Sequence, residues 1–376
     1  MPNVQRDNAS CDFGRLSTRP PRSVVRPSSV AEISALFREP APQGALDALP
    51  LPRGCGHSSR GESLTDGIAI DMRGLATIHE VTDDRVVVDA GATWREVLAA
   101  TLAYQRMPPV LTDYLDLTVG GTLSAAGIGG ASHIHGTQAA NVMELEAVTH
   151  AGQIVTCSPT RRSRLFDALR SGMGRQGVIT KASLRLIEAP ERVLSYRALY
   201  DSAAELIAAQ GRLVADHISG QAKSSDFELK AVLYDAGGAP PEGLSPIDVE
   251  ELTFTDFADR LSPDVEKLIE LGEWGLPHPW GQVILPAARA AAVIEQTMAE
   301  TTSADLGFGG VVLVKRFTPG SVPMLGAPSD AVLFALLRTA SPGCRAVSEM
   351  LLANDRLYQR AAAVGGVPYP PRPLSN

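Results

Sequence analysis

Cysteine is scarce in this chain of 376 residues. Cys11, Cys55, Cys157 and Cys344 lie far apart with no C-x-x-C among them. Neither a disulfide framework nor a thiolate zinc site is indicated, and four reduced thiols are expected. Aromatic residues make up 5%, no basic tract occurs, and the net charge is −8. Nucleic acid and anionic membrane surfaces, which call for a basic footprint, are therefore set aside as partners. No apolar run approaches the length of a membrane span, and the opening MPNVQRDNASCDFG lacks the apolar centre of a signal peptide. The expectation is a soluble protein of the cytoplasm with no membrane partner. Also missing are a G-x-S-x-G elbow, a P-loop Lys-Ser pair and any internal repeat, which removes the corresponding hydrolase and NTPase readings.

What is present is a chain long enough for about two domains, with 44% hydrophobic residues to fill their cores. SSVAEISALF (28–37) predicts a helix behind a serine cap. A proline-punctuated loop and a short strand lead from it into a glycine-rich loop. GIAIDM (67–72) and RVVVDAGATW (85–94) read as strands, WREVLAATLAYQ (94–105) as a helix, and the AG turn at 151–152 as the centre of a hairpin. A helix at 163–170 and a strand at 178–187 precede APER (189–192), a boundary. Beyond it the texture changes. SAAELIAAQGRLVADHI (202–218) and PAARAAAVIEQTMAE (286–300) predict helices, FELKAVLY and VVLVKRF predict strands, and a last helix covers 348–366. The division expected is 1–192, 193–345 and 346–376, the last a segment that returns to the first domain.

Three motifs invite chemistry. GMGRQG, starting at Gly172, matches the dinucleotide fingerprint in letters, but a helix precedes it and a strand follows, the reverse of what that fingerprint needs. A tight helix-to-strand turn is the better reading. His133 and His135 in SHIHG could ligate a metal, yet no third ligand follows at sensible spacing, and no metal is expected. The third is LPRGCGHSSRGES (51–63), a donor-rich turn of the kind that cradles phosphate, with a lone imidazole at its centre. A second glycine- and serine-rich run, VGGTLSAAGIGG, comes about sixty residues later. Two such segments suit a long ligand with a pyrophosphate in its middle. Asp113, just ahead of the second run, is by spacing alone as well suited to capping or a salt bridge as to catalysis.

These residues resemble a known family. RGCGHS (53–58) together with TDYLDLTVGGTLSAAGIGG (112–130) is similar to the cytokinin dehydrogenases, flavoproteins of the vanillyl-alcohol-oxidase (PCMH-type) fold. CDFGRL, HGTQAANVMELEAVT, GRQGVITKASL, HPWGQVILP and LYQRAAAVGGVPYP extend the resemblance along nearly the whole chain. It implies an α+β architecture: a PCMH-type FAD-binding domain of two α/β subdomains, and a smaller substrate (cap) domain of antiparallel sheet flanked by helices. It implies that His57 is bonded covalently to the FAD 8α-methyl group. Arg53, Gly54, Cys55, Gly56, Ser58, Glu62 and Ser63 of the first loop would line the cofactor site. Thr118, Gly121, Ser124, Gly127 and Ile128 of the second run would join them, with Ile179 after the GRQG turn and Tyr369 near the flavin ring. Asp113 takes the place of the catalytic base, which accepts the proton of a secondary amine while the adjacent carbon gives hydride to flavin N5. The substrate implied is an amine such as an N6-substituted adenine, with oxygen or another electron acceptor.

The chain also departs from the family. Glu62 stands where glutamine is common. The expected substrate-domain acid falls on Glu228 or, one residue along, on Leu229. The chain stops at PRPLSN, short of a terminal segment that packs beside the ring, so an open cleft near Tyr369 is expected. Two other readings remain: an FAD-linked oxidase acting on a C–OH or C–N bond of another small metabolite, and a flavoprotein with a non-redox role.

Overall fold

The computed structural model describes residues 9–38, 49–223, 225–234 and 237–371. Three parallel strands open the fold: β1 (Ser23–Val25) and β2 (Leu51–Arg53) flank β3 (Ile68–Asp71). A second sheet is antiparallel throughout. It contains β4 (Ile78–Val81), β5 (Arg85–Asp89), β7 (Val142–Val148), β8 (Ile154–Cys157) and β9 (Val178–Arg185), in the order β4-β5-β9-β7-β8. A short ribbon of β6 (Arg106–Met107) with β10 (Ile187–Glu188) closes one end. Beyond it lies one eight-stranded antiparallel sheet. Its strands are β11 (Arg192–Tyr200), β12 (His217–Ala222), β13 (Phe227–Tyr234), β14 (Asp248–Thr253), β15 (Gly281–Pro286), β16 (Val311–Phe317), β17 (Ala331–Leu337) and β18 (Val367–Pro368), ordered β14-β11-β13-β12-β16-β17-β15-β18. This is the expected α+β arrangement.

Strand alternation gives that large sheet two apolar faces. Val332, Phe334 and Leu336 pack with Leu206, Ile294 and Leu357 of the helices Ala203–Arg212, Ala287–Ala299 and Val347–Ala363. Leu333, Ala335 and Phe317 point the other way and join the core of the first half of the chain. Residues successive on a strand face opposite sides, so any polar side chain on this second face stands between the two halves.

Several expectations are corrected. The helix expected over 202–218 ends at Arg212. Arg316 occupies the space beside Gly211 and donates to the Ile207 carbonyl at 3.1 Å, capping the last turn, and residues from His217 are drawn into the sheet between β13 and β16. The strand expected over 85–94 stops at Asp89. Thr93 then caps the helix Trp94–Leu102 through a capping box with Glu96. Part of the second glycine run is itself a helix, Val119–Ala125, and Trp94 Nε1 ties it down by donating to Thr122 Oγ1 at 2.7 Å. SHIHG forms a single helical turn; the His133 ring bonds to the carbonyls of Gly130 and Ala215. Among the described residues no cluster of His, Cys, Asp or Glu could hold a metal, and no helix is long and apolar enough to cross a membrane. All four cysteines are free.

Candidate active site

The glycine loop leaves β2 at Arg53 and is held from behind by residues 11–14. Phe13 N donates to Gly56 O at 2.8 Å, Gly14 N to Ser58 O at 3.0 Å, and Arg53 Nη2 to Cys11 O at 2.7 Å. Asp12 Oδ2 accepts from Ser58 Oγ at 2.8 Å and from Gly61 N at 2.7 Å. Loop carbonyls are thereby tied back, while the N–H groups of Cys55, Gly56, His57, Ser58 and Ser59 donate to no protein acceptor among the described residues. These five residues line a cavity of about 260 Å³. Converging unsatisfied backbone donors form an anion cradle, so the residues present fit the pyrophosphate of a dinucleotide.

The second run supplies the facing wall. Val119 N and Gly120 N donate to Ala92 O and Ala90 O, each at 2.8 Å, seating the helix Val119–Ala125 on the turn after β5. Thr118, Gly121, Ser124 and Gly127 line the cavity together with Gly54, Cys55, Gly56, His57, Ser58, Glu62, Ser63, Ile179 and Tyr369. The GMGRQG turn hangs from the same helix: Ser171 N donates to Leu123 O at 2.9 Å and Met173 N to Ser124 O at 3.0 Å. It is the helix-to-strand turn expected, between Ser163–Leu169 and β9, and it brings Met173 and Gly174 to the cavity.

Two expected lining residues stand elsewhere. Arg53 lies beneath the loop, not in the cavity; its Nη1 donates to Ser63 Oγ at 3.0 Å. Ile128 is buried in the core, and its backbone N–H, with that of Gly127, meets the Tyr369 hydroxyl oxygen. Glu62 is satisfied locally, accepting from Arg60 N at 2.8 Å and Arg60 Nε at 3.2 Å, so the charge gained over glutamine is balanced by a neighbouring cation. The same arginine donates to Pro370 O at 2.9 Å and to Tyr358 Oη at 3.3 Å, fastening the end of the described chain to the loop. Residues 372–376, including most of PRPLSN, lie outside the described residues.

His57, half-buried, sits among rings. Phe13 is 4.0 Å away between centroids, Tyr114 5.3 Å, Trp280 5.7 Å and Trp274 5.8 Å, while Phe13 itself stacks on His278 at 4.1 Å. Burial, assisted by His278, pushes the imidazole down to about 3. The ring is thus neutral and keeps a lone pair on one nitrogen.

Asp113 does not line the cavity, although Thr112 and Leu117 do. Its carboxylate turns to the large sheet, where Oδ1 meets Arg260 Nη2 and Oδ2 meets Lys315 Nζ, both at 2.5 Å. Burial alone would raise this carboxyl, but Lys315 and Arg260 outweigh it and hold the group well below the usual carboxylate range. The register of β13 buries Leu229 in the helix-side core, and Glu228 faces away from it, 3.6 Å from Arg197. Neither lines the cavity; Trp280 and Gln282 of the HPWGQVILP segment do, and neither was singled out from sequence. Nor were Asp12, Arg260 and Lys315. The position of Asp12 within CDFGRL was a usable signal; no local signal marked the two cations.

Comparison with known proteins shows the family. The FAD binding domain family matches residues 21–158. Over 98% of this chain and 88% of its own length, an uncharacterized oxidoreductase of the fasciation locus in Rhodococcoides fascians is 37% identical. Cytokinin dehydrogenase 3 of Oryza sativa subsp. japonica is 33% identical over 94% of the chain and 80% of its length. For cytokinin dehydrogenase 10 of the same plant the identity is 36%, over 75% of this chain and 62% of that protein. With a PCMH-type FAD-binding fold and relatives of this kind over most of its length, the chain is an FAD-dependent oxidoreductase and belongs to the cytokinin-dehydrogenase-like family.

Proposed function

We propose that the protein oxidises a secondary amine, with an N6-substituted adenine as the leading substrate, and that His57 holds the FAD covalently. The observation that carries the cofactor part of this reading is the meeting of the 55–59 donors, the neutral His57 and the 118–127 wall in one cavity. Bound FAD supplies the hydride acceptor, N5 of its ring. A neutral imidazole is the form able to bond to carbon, and the packed rings around His57 restrict its orientation. Residues up to 192 form the cofactor half and 193–345 the cap; the helix Val347–Ala363 and β18 join the cap's sheet, and the chain comes back to the cofactor half at Tyr369.

In this reading Asp113 takes the hydrogen bond of the substrate N–H and then its proton. The nitrogen lone pair is freed as hydride leaves the neighbouring carbon, and water converts the resulting imine to an aldehyde and the free amine. Oxygen or another acceptor then removes the electrons. A C–OH substrate is the second reading, because the cations beside Asp113 also suit a hydroxyl that gives up its proton. Anaerobic mixing of the yellow protein with isopentenyladenine separates them. Rapid bleaching supports the amine reading, bleaching only with alcohols supports the second, and no bleaching with either overturns both.

A further inference from the structure

Lys315 lies on β16 between Leu313 and Phe317 on the face turned to the cofactor half. Its side chain is 3% exposed, against 24% for Asp113 and 27% for Arg260. Arg260 follows the helix Phe254–Ala258, donates its other Nη to Phe257 O at 2.9 Å, and packs over the Phe257 ring at 4.7 Å. Two separate elements of the large-sheet half therefore each bring one cation to one oxygen of a single carboxylate. The other groups facing this cluster are His217 of β12, kept neutral by burial, and the phenol of Tyr234 of β13, which lies between Arg260 and the carboxylate of Asp216. Neither adds a charge.

One cation is enough to balance one carboxylate. A second, drawn from a strand position that a hydrophobic residue would fill, takes a lysine out of water and leaves the cluster with a net positive charge. Neither feature aids folding, since removing two charges from water is unfavourable unless each is compensated. Orientation of the acceptor accounts for it. We infer that Lys315 is a positioning residue which, together with Arg260, fixes both oxygens of Asp113 so that the carboxylate stays ionised and presents its remaining lone pairs in one orientation. This rests on the reading of Asp113 as proton acceptor. The pair of bonds leaves each oxygen one acceptor direction, suited to an N–H. The proton crosses as the electrons of the N–H bond become the second bond of C=N and hydride goes to the FAD.

The test uses the flavin-loaded protein and Lys315→Met, with Lys315→Gln where the methionine variant does not fold. Flavin reduction by isopentenyladenine is followed against pH. Infrared difference spectra between each protein and its Asp113→Asn partner report a protonated carboxyl without any substrate. Expected is a wild-type rate level on the acid side to about pH 5 with no carboxyl band. In Lys315→Met the acid limb moves up to about pH 6, so that the rate at pH 5 falls about tenfold, and the band appears. Lys315→Arg should restore both. A Lys315→Met protein with the wild-type profile and no band overturns the inference, as does one slowed equally at every pH. If Asp113→Asn itself reduces at the wild-type rate, the proton-acceptor reading has failed, and the infrared band alone decides whether Lys315 keeps the carboxylate ionised.

Discussion

A Cβ placed on Gly54 would lie 2.0 Å from the Thr118 hydroxyl oxygen. The loop after β2 and the start of the helix Val119–Ala125, far apart in sequence, therefore touch at a point where only hydrogen fits as a side chain. Both residues line the cavity, and it is the missing side chain at Gly54 that lets the loop backbone come this close to the Thr118 side chain.

Gly54→Ala should force this contact apart. Overpacking of this kind costs about 1–3 kcal/mol, and the displaced wall should lower the flavin content of purified protein. Thermal unfolding and the flavin-to-protein absorbance ratio read both effects. Adding Thr118→Ala should recover part of each loss, because the two residues share the space; strictly additive losses would show that the contact is not what matters.

His57→Ala should abolish flavin fluorescence on a denaturing gel while the native protein still binds FAD, since the loop N–H groups remain. Retained fluorescence in the denatured variant would place the covalent link at another residue.

Asp113→Asn should keep bound FAD but slow flavin reduction by amine by about 10²–10⁴-fold, the usual worth of a positioned base. It also leaves Lys315 and Arg260 without their counter-charge, and loss of one partner from a buried pair costs up to about 3–5 kcal/mol. The folded carboxyl is held below its unfolded value, so its stabilisation is fully present above about pH 4 and is lost as pH falls toward the folded value. Denaturant unfolding should therefore separate wild type and variant by a constant amount at neutral pH and by less below about pH 4. A gap that widens with acid would contradict the ion-pair assignment.

Acid should weaken the flavin-free protein well before the carboxylates titrate. Burial lowers His57 to about 3 and also lowers His217 and His278. Their stabilisation is complete above the unfolded value of about 6.5 and drains away between there and the folded values. Each proton taken up on unfolding adds about 1.4 kcal/mol per pH unit to the slope. A melting temperature that stays flat from pH 7 to pH 4 would show that these rings are protonated in the folded state.

Arg60→Ala should loosen the closing segment, removing the bonds to Pro370 O and Tyr358 Oη together with the partner of Glu62. Iodide quenching of the bound flavin should increase because Tyr369 and Pro370 form part of the cavity wall. Unchanged quenching would mean that the segment is held without this arginine.

Much of the candidate site was legible in the letters. RGCGHS and TVGGTLSAAGIGG describe local needs, namely left-handed or closely approached backbone at Gly56 and Gly127 and small side chains where Gly54 meets Thr118. Such needs are written residue by residue. The turn nature of GMGRQG was equally readable, because helix and strand periodicities flank it in the wrong order for a dinucleotide site. The end of the helix at Arg212 was not, since Arg316 caps it from a strand more than a hundred residues on.

By itself the sequence determined the two cradle segments, the lone imidazole at the centre of the first and the alternation that puts Lys315 and Phe317 on one face of their strand. Tertiary structure alone decided what that face meets. Strand order in the large sheet brings Lys315 against Asp113, 202 positions earlier, and Arg260 arrives from another element 147 positions away. The physical reason is that backbone conformation is set by neighbours along the chain, whereas a carboxylate's state is set by whichever charges the folded topology places within a few ångströms of it.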